Sequence, residues 1–252
     1  MNIFKRFFSN DKNTSENISE ILPEEEIKVI CPYCENILEQ FPKRKKKCSY
    51  CKQDIFVRTS PSTRGKVLVT EEGSKKIDIE LKKISFRNRW LREIEGLGIT
   101  EKDFYSRKEI FFVKNGVEVK DGDVFWSLFN ESITKTRDLH QSKMIYYLMS
   151  LFLHEEGRDY FATRQLSAKM ELIQNQNSSL KLNAVIITAG DSCEACKKSA
   201  NKVMTIEEAL EKMPIPCKEC THTISDNKRG FCRCCYGFEA ERDEDGFLIL
   251  RE

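Results

Sequence analysis

The sequence predicts an α+β fold that is mainly helical, with a central helical bundle and a small cysteine-rich module on either side of it. Three observations predict it. The eleven cysteines fall in close groups toward the two ends of the 252 residues, with none between Cys51 and Cys193. The intervening stretch carries apolar residues at three- and four-residue steps, the period of helices. Short runs rich in β-branched residues, Ile27 to Ile30, Ile55 to Arg58 and Asn183 to Thr188, lie next to the cysteines, as strands of small sheets would. The division that follows is a polar tail (1–26), a first cysteine module (27–70), a helical domain (71–180) and a C-terminal cysteine module (181–252).

The tail opens with Ile3, Phe4, Phe7 and Phe8 among basic residues, then turns polar from Asn10 to Ser15 and acidic at Glu24 to Glu26. It cannot bury enough apolar area to order itself, so a flexible segment is expected. It has neither the apolar stretch nor the small-residue cleavage site of a secretory signal. The longest apolar run, Ile145 to Leu153, is far short of the ~20 residues that span a bilayer. Together with paired cysteines that suit metal binding in a reducing compartment, this points to a cytoplasmic protein without a membrane span.

The first module contains Cys31-x-x-Cys34 and Cys48-x-x-Cys51 with thirteen residues between the pairs. Two residues between cysteines let both thiolates of a tight turn face one ion, and two such turns complete the tetrahedral shell that Zn²⁺ prefers. The order strand, knuckle, strand, knuckle, strand is that of a zinc ribbon, and the segment resembles the zinc ribbons of many bacterial and phage proteins. It departs from the commonest form in having Glu35 and Lys52 where glycine often follows the second cysteine. So small a unit has almost no core, so the metal supplies the folding energy, ~10–16 kcal/mol in zinc-finger peptides.

Lys43, Arg44, Lys45, Lys46 and Lys47 form the expected tip of this ribbon's hairpin. Residues 27–66 hold ten Lys and Arg against Glu35, Glu39 and Asp54, whereas the whole chain, with 42 basic and 40 acidic residues, carries only +2. A local patch of this sign suits phosphate contacts of DNA or RNA. It equally suits a solvated loop that keeps an exposed hairpin from aggregating. Tyr33, Phe41, Tyr50 and Phe56 can stack on bases or cover the metal site.

In the middle domain, Glu71 to Glu95 reads as a helix with Ile77, Leu81, Ile84, Trp90 and Ile94 on its apolar side, stopped by Gly96 and Gly98. Thr100 is the expected N-cap of a second helix. Phe111 to Val119 is ambiguous, because Asn115-Gly116 between apolar residues is also a hairpin signal. Asp123 is the expected cap of a helix carrying Val124, Phe125, Leu128, Phe129 and Ile133. Helices from about Gln141, with the dense apolar run Met144 to Leu153, and from Asp159 to Gln174 complete the bundle. The aromatic and methionine residues here read as core.

Catalytic patterns fail. His154-Glu155 begins like His-Glu-x-x-His, but Arg158 stands where the second zinc histidine is needed. There is no glycine-rich phosphate loop and no Gly-x-Ser-x-Gly elbow. Three histidines in the chain make a hydrolase the last of the readings.

The third part runs from Asn183-Ala-Val-Ile-Ile-Thr into Asp191-Ser-Cys193-Glu-Ala-Cys196, then Thr205-Ile-Glu-Glu-Ala-Leu, Met213-Pro-Ile-Pro and Cys217-Lys-Glu-Cys220-Thr-His222. Thr205 and Glu208 have the spacing of a capping box. Cys193, Cys196, Cys217 and Cys220 make a second four-ligand site, with Asp191 as a helix cap or an acceptor behind the ligands. A redox Cys-x-x-Cys would need a thioredoxin-like βαβ pattern in front of it, which is missing. The tail Cys232-Arg-Cys234-Cys235 adds three thiols. With His222 they bring the ligand total to twelve, enough for a third site of His222, Cys232, Cys234 and Cys235, or for an alternative shell of Cys217, Cys220, Cys232 and Cys234. About two Zn²⁺ are therefore expected, and about three if the tail closes a site. Glu239 to Asp245 reads as an acidic loop and Phe247 to Leu250 as an edge strand.

The sequence from the short strand through Cys193-x-x-Cys196, the Thr205 helix and Pro-x-Pro to the Cys217 pair resembles the C-terminal segment of phage head-morphogenesis (minor head) proteins. That family closes with His-x-x-Cys-x-Cys; this chain has Cys217-x-x-Cys220-x-His222, the same spacing with His and Cys exchanged at the ends. The resemblance implies a structural role with a protein assembly partner. The residues themselves imply a non-enzymatic, zinc-stabilised binding module, with nucleic acid at Lys43 to Lys47 as the first candidate ligand.

Overall fold

A computed structural model describes residues 28–190, 192–221 and 233–251. The chain divides into two compact units, with the division between Lys82 and Lys83, inside helix α1 (Glu71–Glu95).

The first unit is built on a three-stranded antiparallel sheet, β1 (Lys46–Lys47), β2 (Asp54–Thr59) and β3 (Lys66–Val69), in that order. Lys46 faces Ile55, and Phe56 faces Val69 across the ladders. A separate bridge joins Ile30 to Ile37. Strand β3 was not legible, because it is a four-residue strand behind the Ser60-Pro61-Ser62-Thr63 turn. The basic run corrects the expected hairpin: Lys46 and Lys47 form the edge strand itself, and the turn between β1 and β2 is the second cysteine knuckle. Edge position explains why two consecutive lysines can both be exposed, since charge on an edge strand discourages further pairing. The core here is Ile55 with Cys31 and Cys48, supported by Leu38 and Leu68. At the start of α1 the Tyr33 hydroxyl accepts the Glu71 backbone N–H at 2.8 Å, and Arg58 pairs with Asp78 at 3.1 Å.

The second unit begins with helices. The second half of α1 is followed by α2 (Glu101–Asn115), α3 (Asp121–Lys135), α4 (Leu139–Glu155) and α5 (Phe161–Gln176). Thr100 caps α2 in a full capping box with Asp103. Asn115-Gly116 resolves as a helix end, with Gly116 in the left-handed conformation at φ 70, the commonest way to close a helix. Helix α3 starts three residues earlier than expected, with Lys120 rather than Asp123 at the N-cap. Asp121, in its first turn, binds Arg87 and Lys108, favourable at the positive end of a helix. Asp138 caps α4 by accepting the Gln141 N–H at 2.6 Å.

The core of these helices is aromatic: Trp90, Phe104, Phe125, Phe129 and Phe152 are fully buried. Trp90 meets Phe152 edge-on at 4.9 Å, a favoured arrangement for aromatic quadrupoles. The Trp90 indole N–H donates to Glu155 at 3.1 Å, and Arg89 binds the same carboxylate. Glu155 thus satisfies a core donor, a structural use that agrees with the broken metalloprotease pattern.

A second sheet, ordered β5–β4–β6, closes the unit: β4 (Leu182–Ile187), β5 (Val203–Thr205) and β6 (Cys235–Ala240), all antiparallel. Two short helices, α6 (Glu194–Lys197) and α7 (Ile206–Lys212), lie between the strands in sequence. Ala184 and Ile186 alternate inward from β4, as strand geometry requires, and meet Ala168 and Leu172 of α5, Ile206 and Ala209 of α7 and Tyr236 of β6. Glu239 and Ala240, expected in an acidic loop, belong to β6. Gly237 sits where a Cβ would meet the Ile187 Cδ1 at 2.5 Å, so a larger residue there would require the Ile187 side chain to move. Phe247 to Leu250 contribute single bridges, Leu248 to Arg242 and Leu250 to Leu180, rather than a continuous strand. Among the described residues, no helix is long and apolar enough to cross a membrane.

Candidate metal centres

The two knuckles of the first unit are built alike. The Cys31 N–H donates to the Asn36 carbonyl and the Glu35 N–H to the Cys31 carbonyl; the Cys48 N–H donates to the Gln53 carbonyl and the Lys52 N–H to the Cys48 carbonyl. This turn needs a left-handed residue after the second cysteine, and Glu35 and Lys52 adopt it at φ 59 and φ 61. The absence of glycine noted in the sequence therefore leaves the turn intact and costs strain, ~1–2 kcal/mol per residue relative to right-handed backbone.

The four sulfurs converge. Cys31 and Cys51 are 3.8 Å apart, as are Cys34 and Cys48, and all four Sγ atoms lie within 4.8 Å of one another. A tetrahedron with Zn–S bonds of ~2.3 Å has edges of ~3.8 Å. A disulfide would need ~2.05 Å, and these cysteines are free thiols.

Donors surround the sulfurs. The Asn36 side-chain amide reaches Cys34 Sγ at 3.3 Å and, with the Asn36 backbone N–H, holds the Cys34 thiol down to about 6 from 9.0. The Cys51 backbone N–H, with that of Tyr50 at 3.4 Å, lowers Cys48. Cys51 goes the other way: the Gln53 N–H pulls it down, but burial and the three neighbouring thiols push it up to about 12. Four thiols this close cannot all ionise by themselves, because each thiolate repels the next. A divalent cation removes that conflict. Asn36 was not singled out from sequence, although its place two residues after a knuckle cysteine is a usable signal.

In the second unit, Cys193, Cys196 and Cys220 form a group of the same compactness, with Cys193 and Cys220 3.7 Å apart. Cys193 is the N-cap residue of α6 and Cys196 lies within that helix, fully buried. The N–H groups of Cys196 and Thr221 hold the Cys193 thiol down to about 6. Cys217 lies beside the group, close enough to interact with Cys196, and is raised chiefly by burial. Its Sγ faces the Glu219 carboxylate at 3.5 Å. The structure thus gathers three of the four expected sulfurs and places the fourth alongside. The approach to Cys217 is fixed by the buried Ile215, whose N–H donates to the Tyr236 hydroxyl at 3.3 Å; burial pushes that phenol up to about 12.

The tail residues sort differently. His222, Cys232 and Asp191 lie outside the described residues. Cys234 is buried in the core around Ile186, with its sulfur 3.4 Å from the Ser192 hydroxyl. Cys235 opens β6, and burial raises its thiol. Neither joins a group of three candidate ligands among the described residues, and neighbours along a strand direct their side chains to opposite faces.

The basic residues stand where they can be reached. Lys43, Arg44, Lys46 and Lys47 are exposed. Lys45 pairs with Asp54 at 3.0 Å and lies over the Phe56 ring at 4.7 Å. No known protein family, no curated protein and no solved structure matches the chain.

Proposed function

We propose that this is a non-catalytic, zinc-stabilised protein whose ribbon binds nucleic acid. Zn²⁺ is the metal best suited to compact groups of thiolates: it accepts tetrahedral sulfur, needs no redox chemistry and supplies folding energy. Cys31, Cys34, Cys48 and Cys51 would close one shell; Cys193, Cys196, Cys220 and Cys217 would close the second. Shells filled by cysteine leave no open position for a substrate, which favours a structural role.

One observation carries the nucleic-acid reading. Of the run Lys43 to Lys47, only Lys45 is ion-paired among the described residues, so four cations stand exposed on a scaffold that the metal would hold rigid. Their charge is not consumed among the described residues of the unit. Counterion release then predicts affinity that falls steeply with salt. The test is binding of the zinc-loaded full chain to labelled DNA and RNA at ~50 and ~150 mM salt, where contact with three phosphates changes the log–log slope by roughly 2–3. Replacing Lys43, Lys46 and Lys47 by Gln should flatten the slope by that amount and leave metal content unchanged. Absence of binding at ~50 mM salt would contradict the reading.

A second reading, an assembly part with a protein partner, is favoured by helix α2. Tyr105, Ile110, Phe112 and Val113 are exposed there, and apolar residues grouped at a surface mark interaction sites. Co-purification of a capsid or portal-type protein with the full chain would support it, and its loss on Phe112→Ser would place the contact.

A further inference from the structure

The ribbon exposes aromatic rings as well as cations, and the two together select a class of nucleic acid. Resting on the nucleic-acid reading above, we propose that the ligand is single-stranded, with phosphates held by Lys43, Arg44, Lys46 and Lys47 and bases stacked on Phe41 and Tyr50.

The four aromatic residues of the ribbon have separate fates. Tyr33 is 37% exposed, but its ring is tethered by its hydroxyl to the start of α1. Phe56 is covered by Lys45 at 4.7 Å and by Arg58 at 5.8 Å. That leaves Phe41 and Tyr50, 39% and 61% exposed, one just before the basic run and one just after it. Both stand on fixed backbone. Phe41 precedes the buried Pro42, which biases the backbone of the preceding residue to an extended conformation. Tyr50 lies inside the second knuckle, with its N–H donated to Cys48 Sγ at 3.4 Å. The metal site therefore orders the Tyr50 backbone without using its ring.

An edge strand protected by lysine needs only the charges. It does not call for two large rings in water, each of which forgoes burial. A duplex offers phosphates to the cations, but its bases are already stacked and present edges, not faces. Unpaired bases offer faces, and stacking on aromatic side chains tolerates any sequence. Cations that track the backbone beside rings that stack bases are the usual pairing in proteins that hold single strands.

The experiment uses the zinc-loaded full chain and labelled 20-mers of one mixed sequence, as single-stranded DNA, single-stranded RNA and duplex DNA. Single strands should bind at least ten times more tightly than duplex, and DNA against RNA in the same assay identifies which strand is preferred. Tyr50→Ala should weaken single-strand binding by about 5- to 100-fold, as should Phe41→Ala, with the salt slope unchanged, because stacking releases no counterions. Tyr50→Phe should retain the affinity, and metal content must stay at the wild-type level in every variant. Duplex bound as tightly as single strands, with Tyr50→Ala and Phe41→Ala silent, would overturn this proposal and leave the nucleic-acid reading standing. No binding to any of the three would overturn both.

Discussion

The two cysteine centres use the same chemistry in opposite settings. In the ribbon, the cysteines are the core: Cys31 and Cys48 are buried with a single aliphatic residue, Ile55. In the C-terminal module, the cysteines sit against a core that already exists, with Ala184, Ile186, Leu172, Ile206 and Ile215 fully or almost fully buried around them. A metal bound in the first setting would make the fold, because little else there removes apolar area from water. A metal bound in the second setting would fasten α6 and the Cys217 turn onto a sheet that helices α5 and α7 already cover.

The largest effect should come from Cys31→Ser. With the sulfur at the centre of the ribbon removed, strands β1, β2 and β3 should unfold, since the metal's contribution is of the order of 10 kcal/mol in units this small. Limited proteolysis should then cut within Asp54–Val69 while the helices of the second unit persist. Cooperative melting of the whole chain would break the comparison.

Cys193→Ser should cost less, a few kcal/mol at most, because the module keeps its core while the loss of a metal ligand still ranks among the larger point-mutant effects. The variant should lose one metal per chain by elemental analysis, yet the β4–β6 pairing should survive in amide exchange. Unfolding of that sheet would show that its core depends on the metal as fully as the ribbon does.

Acid sharpens the comparison in a different way. The Cys34 and Cys193 thiols are held at about 6 in the folded chain against 9.0 ordinarily. Folded protein therefore binds fewer protons there, and their stabilisation, fully present above 9, is lost as pH falls through about 6. Cys51, pushed up to about 12, opposes this in the metal-free ribbon: its contribution is fully present below 9 and is lost as pH rises toward about 12. A bound cation keeps all four deprotonated and cancels the opposition. Both centres should hold metal through dialysis at pH 7 and begin to release it below about pH 6. Full retention in both at pH 4 would contradict the thiolate assignment.

The smallest effect tests the turn. Glu35→Gly relieves left-handed strain at φ 59 but adds freedom to the unfolded chain, so a gain of about 0.5 kcal/mol or less is expected. It should appear as a slightly higher melting temperature of the ribbon. A loss would mean that Glu35 makes a contact worth more than the strain.

What was legible in the sequence is what local chemistry decides. Cys-x-x-Cys spacing gave both centres, and the Thr100 and Thr205 caps formed where side-chain oxygen and backbone donors lie three residues apart. Illegible features depended on partners distant in sequence. Asn115-Gly116 suits a hairpin or a helix end equally, and the helix before it decided the outcome. Strand β6 begins in a cysteine cluster and contains Gly237, so only its pairing with β4 reveals it. The basic run was readable as charge but not as an edge strand, because its partner Asp54–Ile55 lies beyond the knuckle. Cys217 had the right spacing, yet its sulfur lies beside the group of three, between Cys196 and the Glu219 carboxylate.

Hydrogen exchange during chelation tests the central claim most directly. The zinc-loaded chain is treated with a chelator strong enough to strip both centres, and exchange is followed at Ile55, Phe56 and Val57 of β2 and at Ala184, Val185 and Ile186 of β4. The account predicts that β2 loses protection in step with metal while β4 keeps most of its own. Equal loss in both strands, or retained protection in β2 after the metal has gone, would contradict the distinction between a metal that makes a fold and a metal that fastens one.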